Sequence, residues 1–196
     1  EIASCLVGSE MCIRDRSWDI SLVARPYMEH LCQRTGASVM LSVCEGGSVI
    51  TLDQVETRDN LRVVSDIGSR LPIYCTSQGK VFLAHMSRTS AEALLRAQHM
   101  TQFTPHTITD LTALMQEIDL CRTDGYAIEN GEYKIGLRSI SAPVYTVEGK
   151  ARYTVGVIGM FRSTRSDEFL TAVEQVCATA SMISTALGYR KTEELL

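Results

Sequence analysis

Two short turns rich in glycine constrain what this chain can fold into. The first turn, at 45–47, separates alternating apolar segments at 37–44 and 48–55, and the second, at 147–150, separates segments at 138–145 and 152–161. Strands joined by so few residues cannot be parallel neighbours, because a parallel connection needs a crossover of about a dozen residues or more. Each turn therefore predicts an antiparallel β-hairpin.

Helical patterns precede, separate and follow these hairpins. A helix starting at 17 carries Pro26, which either kinks or restarts it, and Gly36 ends it. Ser166 caps a closing helix that stops at Gly188. The other predicted elements lie between the hairpins, with strands at 61–66 and 126–129 and helices at 78–85, 89–97 and 109–123. This order predicts an α+β fold, a central, largely antiparallel sheet with helices packed on it.

Composition excludes several classes of function. The formal net charge of −4 argues against a chain that holds nucleic acid by itself, because neutralising phosphates requires a basic face. The sequence has no apolar run long enough for a membrane span, and no membrane partner is expected. Seven cysteines without a CxxC pair suggest neither a zinc site nor a disulfide framework, so we expect a reducing, cytoplasmic setting and no metal or cofactor.

The two ends of the chain differ in character from the rest. Residues 1–16 lack a helical or strand period and look like translated adaptor sequence, so we expect an irregular and non-native leader; an ordinary irregular leader is the alternative. Residues 191–196 read as a short tail. The single domain is therefore predicted at 17–190.

The stretch LPIYCTSQGKVFLA, at 71–84, contains the best candidate for a binding site. An extended run ends there in Thr76 and Ser77, both N-cap residue types, so a helix should begin near Gln78. Free N–H groups and the helix dipole favour an anion at such a start by roughly 0.3–1 kcal/mol. An ordinary strand-to-helix connection is the alternative. Cys75 could act as a nucleophile at this start, although His85 lies too far along the helix to assist it.

Polar residues in the second half of the chain could line the same site. The alternation at 137–144 places Ser139 and Ser141 on one face of a strand, where they either line a polar pocket or meet water. Glu129 and Glu132 flank a turn, and Glu129 either contacts a polar ligand or is solvated.

Three segments carry a family resemblance. RPYMEHLCQRTGASVMLSV, IGSRLPIYCTSQGKVFLA and DGYAIENGEYKIGLRSISAPVY, in this order and spacing, resemble the effector-binding domain of IclR-family bacterial transcriptional regulators over about 17–190. The resemblance implies a GAF-like domain that holds a small organic acid. It also implies a winged helix-turn-helix ahead of the domain, and nothing of that kind precedes residue 17, so DNA is expected to be bound only through an N-terminal domain outside this chain.

The resemblance also implies a set of pocket residues. Relatives that sense keto acids have small residues at the helix start and serines at two positions of the last strand, whereas this chain has Gln78, Gly156 and Ile158. Gln78 should narrow the pocket, and an aromatic acid or a sugar acid is as suitable as glyoxylate or pyruvate. The predicted ligand-binding residues are Val63, Leu71, Ser77, Gln78, Glu129, Ser139, Gly156 and Ile158.

The resulting hypothesis is a ligand sensor and not an enzyme. A small carboxylate effector would change how subunits pair in a homodimer or homotetramer, and so reposition the DNA-binding domains. Two alternatives remain at this point, a small hydrolase or thiol enzyme that uses Cys75, and a structural dimerisation module whose pocket is filled by its own side chains.

Overall fold

A six-stranded antiparallel sheet forms the centre of the molecule in the computed structural model, which describes residues 10–57, 63 and 65–190. The strand order is β3-β2-β1-β6-β5-β4, so the two predicted hairpins, β1–β2 and β5–β6, are joined edge to edge through β1 and β6. The strands are β1 (Ser38–Glu45), β2 (Ser48–Val55), β3 (Arg70–Pro72), β4 (Ala127–Asn130), β5 (Arg138–Tyr145) and β6 (Ala151–Gly159).

Helices cover both faces of this sheet. Each strand alternates its side chains between two apolar cores, which is why β1, β5 and β6 contain so few exposed residues. The helices are α1 (Glu10–Thr35), α2 (Ser77–Ala84), α3 (Arg88–Arg96), α4 (Leu111–Asp124) and α5 (Asp167–Ala186).

The two faces differ in polarity. On one face, α1 and α5 pack on Val39, Leu41, Ile140 and Val155 in a core built almost entirely from apolar side chains. On the other face, α2 and α4 form a second core near β2 and β4, but the strand residues beneath the start of α2 are mainly serine and threonine. A helix thus begins over buried polar groups of the sheet, and this region is the candidate site.

The predicted start of the first helix is wrong. The first helix begins at Glu10 and not at 17, because nothing in 10–16 breaks a helix and Glu, Met and Arg are good helix formers. The predicted irregular leader is therefore helical in its last residues, whereas 1–9 and the tail at 191–196 lie outside the described residues. The helix also runs through Pro26 without a restart.

Of the predicted third strand at 61–66, residues 61, 62 and 64 lie outside the described residues. The strand that pairs with the outer edge of β2 is β3, Arg70–Pro72. Beside it, the Gln54 side chain donates to Val63 O at 2.8 Å and accepts from Ser65 N at 2.8 Å, and these two bonds satisfy backbone groups of both residues. In the part of the chain described, no helix combines the length and apolar character that crossing a membrane requires.

Candidate ligand-binding site

Helix α2 begins where the sequence predicts it. Thr76 is the N-cap with extended backbone (φ −126°, ψ 146°), and its hydroxyl accepts from Gly79 N at 3.2 Å and donates to Pro72 O at 2.8 Å. All eight residues of α2 are buried. The start of the helix therefore faces the interior of the protein, over the polar part of the sheet.

Three serine hydroxyls meet at this helix start. Ser77 Oγ lies 2.8 Å from Ser139 Oγ and 2.8 Å from Ser141 Oγ, and all three side chains are buried. The serine row on β5 is thus inside the protein and does not meet water. Ser141 completes the cluster. The alternation at 137–144 already placed it on the same face as Ser139, although only Ser139 was among the predicted ligand-binding residues.

Glu129 is buried at the edge of this cluster and is fully engaged with the protein. It accepts from Ser139 Oγ at 3.1 Å through Oε2, and from Glu132 N at 2.6 Å and Tyr133 N at 3.1 Å through Oε1. Burial raises the pKa of this carboxyl above its usual range, and the three donated hydrogen bonds oppose the shift only in part. The solvated alternative is therefore wrong for Glu129, which instead holds the turn after β4 against β5.

Gln78 fills the space between α2 and β1. Its amide is 4% exposed, yet its two hydrogen bonds are poor ones, from Nε2 to Met40 Sδ at 3.8 Å and from Ser77 Oγ to Oε1 at 3.4 Å. That Gln78 narrows a ligand pocket stays a prediction, since it is not among the residues that line the cavity at the start of β1. Met40 on β1, which the sequence did not indicate as a site residue, contacts Gln78 and fills the rest of this space between α2 and β1.

Gly156 lies too close to β5 to carry a side chain. A Cβ at Gly156 would lie 2.2 Å from Ser141 Oγ and 2.4 Å from Ile140 O. Because Ile140 O is a backbone atom, any side chain at 156 would force β5 and β6 apart, whichever residue stands at 141. The neighbouring strand supplies the hydroxyl that β6 lacks.

A cavity of about 520 Å³ opens beside this cluster, at the end of the sheet where β1 starts and β6 finishes. Val63 and Ile158 line it. Leu71, which the resemblance places with Val63 in the apolar wall, lies apart on β3, paired with Val49. Ser38, two residues before Met40 on the same face of β1, is 1% exposed, and its hydroxyl has no hydrogen-bond partner among the described residues. The lining residues are Thr35, Gly36, Ala37, Ser38, Thr57, Val63, Lys134, Leu137, Ile158, Gly159, Met160, Phe161 and Glu168.

The predicted site residues consequently fall into three groups. Ser77, Gln78, Glu129, Ser139 and Gly156 meet in the packed cluster at the start of α2. Val63 and Ile158 line the open cavity, and Leu71 belongs to neither group. Sequence reasoning missed the cavity's Ser38 and Lys134, although the alternation of Ser38 with Met40 and Ser42 along β1 was readable from the sequence.

Cys75 does not have the environment of a nucleophile. It is fully buried, and burial, reinforced by the nearby carboxyls of Glu132 and Glu129, raises the pKa of its thiol to about 12. Reactive cysteines have a depressed pKa and access to solvent. The structure therefore gives no support to a thiol enzyme at this position.

The buried Glu129 makes stability depend on pH in a predictable direction. Because its pKa in the folded protein lies above the ordinary 4.5, the native state keeps a proton that the unfolded chain has already released. The free energy of unfolding should fall as pH rises through this interval and stay level above it. Glu129→Gln should remove the contribution of residue 129 to this decrease in the free energy of unfolding. Urea unfolding at a series of pH values between about 4 and 8 measures it.

The exposed Glu148 offers the matched control for that experiment. Its side chain is 66% exposed and, within the described ranges, pairs only with Lys150, so Glu148→Gln should give a curve parallel to that of the unchanged protein. A Glu129→Gln curve that is parallel as well would mean that the carboxyl at 129 titrates normally.

The fold and the site together define a class of protein. An antiparallel sheet covered by helices, with a cavity at its end, is the architecture of a small-molecule-binding domain. The sequence profile described as "Bacterial transcriptional regulator IclR C-terminal" matches residues 15–185. The chain belongs to the IclR family of bacterial transcriptional regulators, and the match is to the C-terminal domain.

Relatives and solved structures agree with this assignment. The transcriptional repressor AllR of Escherichia coli K12 is 28% identical over 172 residues, which are 88% of this chain and 64% of AllR. The chain thus spans less than two thirds of that curated relative. The IclR structure of Thermotoga maritima is 28% identical with a TM-score of 0.81, covering 87% of this chain and 69% of the other. The predicted GAF-like α+β fold is confirmed, and the relatives are regulators and not enzymes.

One further structure of the same fold contains a ligand. It is an IclR homolog from Microbacterium hydrocarbonoxydans complexed with 4-hydroxybenzoate. Its TM-score is 0.80 and its identity 24%, with 94% of this chain and 72% of the other covered. At this identity the likeness concerns the fold.

Proposed function

We propose that this chain is the effector-binding part of a transcriptional regulator and that a small carboxylic acid occupies the cavity at the end of the sheet. The observation that carries this proposal is the cavity itself, about 520 Å³ in volume, which Ser38, Val63 and Ile158 help to line at the end of the sheet. The volume lies within the range of about 300–1,000 Å³ that is usual for small-molecule sites.

Binding would act through a change in how subunits pair. The acid must bind one arrangement of a homodimer or homotetramer more tightly than another, and a coupling of about 1–3 kcal/mol corresponds to a change in affinity of roughly 5- to 150-fold. This change in subunit arrangement would reposition DNA-binding domains on the N-terminal side of this domain. Such a regulator would work in the cytoplasm, where it meets both DNA and metabolites.

Calorimetric titration with a panel of small carboxylates tests this proposal. The panel includes pyruvate, a sugar acid and 4-hydroxybenzoate, the last because a protein of the same fold holds it. At least one acid should bind, and Ile158→Trp, which fills the cavity from β6, should abolish that binding. Leu120→Trp, on the exposed face of α4, is the matched control and should bind normally. Absence of binding by every acid would contradict the proposal.

A structural dimerisation module is the second candidate. The observation that favours it is the cluster of Ser77, Ser139 and Ser141, whose hydroxyls satisfy one another and leave no space at the helix start. In that case no acid binds, while the subunits still associate in sedimentation experiments.

A further inference from the structure

We propose that two copies of this chain pair through the mouth of the cavity at the end of the sheet, so that residues of each subunit close the site of the other. The surface that pairs, the rim, consists of Lys134, Ile135, Met160 and Glu168. The inference deepens the proposed function, since it names the surface that links acid binding to subunit pairing, and the pairing can be measured without any ligand.

Two large apolar side chains of the rim meet solvent. Ile135 is 73% exposed and Met160 is 62% exposed. Met160 lines the cavity directly after the end of β6, and Ile135 stands between the lining residues Lys134 and Leu137. Single exposed apolar residues are common, but two large ones beside charged residues at the opening of a cavity are typical of a surface that another molecule covers.

The loop that carries Ile135 is bonded to itself and to the rest of the protein. Gly131 N donates to Leu137 O at 2.9 Å, and Leu137 N donates to Lys134 O at 3.2 Å. The hydroxyl of Thr104 donates to Gly131 O at 2.7 Å. A surface that already has its bound shape loses little conformational entropy on association, so the loop presents Ile135 in a form suited to a partner.

The two charged residues of the rim have opposite signs. Lys134 lies on the loop after β4 and Glu168 lies in the first turn of α5; both are exposed and both line the cavity. Within the ranges that the structure describes, neither forms an ion pair. In a two-fold pair every contact occurs twice with the roles exchanged, so Lys134 of each subunit meets the partner's Glu168. This self-complementarity identifies a second copy of the chain as the occupant.

A partner over the mouth would complete the binding site. Small-molecule sites usually bury about 70–90% of the ligand surface, whereas this cavity is open at the rim. The apolar side chains of Ile135 and Met160 from the second subunit would exclude water there, and charge interactions strengthen where water is excluded. An acid would then bind the pair more tightly than the single subunit, which is the differential affinity that the proposed function requires.

Charge reversal followed by sedimentation equilibrium tests the pairing. Lys134→Glu and Glu168→Lys each place two pairs of like charges opposite one another, so each should weaken self-association by about tenfold or more. Mixing the two variants in equal amounts should restore association, because every contact in the mixed pair again joins opposite charges. Combining both substitutions in one chain should restore it as well.

The turn between β5 and β6 offers matched controls at the opposite end of the sheet. Lys150 and Glu148 are exposed and pair with one another there. Lys150→Glu and Glu148→Lys change the net charge by the same amounts as the two rim variants, but should associate like the unchanged protein. Thermal melting shows whether each variant is folded.

Chemical labelling tests whether the partner covers the mouth. A thiol introduced by Met160→Cys should react with iodoacetamide more slowly as the protein concentration rises and the pair forms. Leu120→Cys, on the exposed face of α4, should react at a rate independent of concentration. The unchanged protein gives the background from its own cysteines.

The failures of the two proposals are distinguishable. Equal association of the unchanged protein and both rim variants, or a chain that stays monomeric up to about 1 mM, would overturn the interface. A labelling rate at position 160 that does not depend on concentration would overturn the closure of the site. Both results leave binding of an acid by the single subunit standing, whereas calorimetry in which no acid binds would overturn the sensor function and leave the interface standing.

Discussion

Replacing Lys80 with methionine should lower the free energy of unfolding by about 3–5 kcal/mol. The lysine side chain is 1% exposed in the middle of α2, and its ammonium donates to Glu132 Oε1 at 2.6 Å and to Ile128 O at 3.2 Å. Methionine fits the apolar part of this space but leaves the Glu132 carboxylate buried without its cation. Glu132 Oε2 has no hydrogen-bond partner among the residues described, so no second bond there compensates for the loss. Urea unfolding measures the difference.

Two further variants show whether this cost comes from the unpaired carboxylate. Removing both charges, in Lys80→Met with Glu132→Leu, should recover most of the stability, because a buried ion pair is often no better than well-packed apolar residues. Glu117 lies 3.7 Å from Lys80 but is 44% exposed, so Glu117→Gln should cost less than about 1 kcal/mol. A loss below about 1 kcal/mol in Lys80→Met would mean that water reaches the pair.

Replacing Gly79 with alanine should destabilise the protein by about 3 kcal/mol. This reverses the usual effect, because alanine in place of glycine inside a helix normally stabilises by about 0.8–1.0 kcal/mol. A Cβ at Gly79 would lie 1.9 Å from Ile73 O, 2.5 Å from Ile73 C and 2.7 Å from Ile73 Cα. These are backbone atoms and cannot rotate away, so α2 would have to move off the segment that precedes it. Chemical unfolding of the purified variant measures the change.

Gly46→Ala is the comparison for this variant. Gly46 has a φ of +57°, and no heavy atom of the described residues lies within 4 Å of a Cβ added there, so only backbone strain of about 1–2 kcal/mol is expected. The loss at Gly79 should exceed the loss at Gly46. A stabilised Gly79→Ala protein would contradict the close approach of α2 to Ile73.

The features that could be predicted from the sequence are those set by neighbouring residues. The glycine turns specify the hairpins because Gly46, Gly47 and Gly149 adopt positive φ, and the short connections leave only antiparallel pairing. Thr76 specifies the start of α2 because a hydroxyl at that point can bond the third residue after it. Such signals act over a few residues and need no knowledge of the tertiary structure.

The features that could not be predicted depend on residues far apart in the sequence. Lys80 reads as a surface residue until Glu132, on a distant turn, is known to face it. The side chain of Gln54 bonds the backbone of Val63 and Ser65, and no local pattern predicts that contact. In the candidate site, the sequence indicated most of the residues that take part. It did not indicate that they divide into a packed cluster and an open cavity, because this division depends on tertiary contacts such as that of Gln78 with Met40.

The junction of the two hairpins has a consequence for how the chain reaches its folded state. Val43 on β1 pairs with Tyr153 on β6, so this contact closes a loop of 110 residues (153 − 43), whereas each hairpin closes only a few. Contacts between residues far apart in sequence slow folding far more than they reduce stability, since the entropy of loop closure grows only with the logarithm of loop length. The hairpins should therefore form early and dock late, and the late step also creates the cavity between the start of β1 and the end of β6.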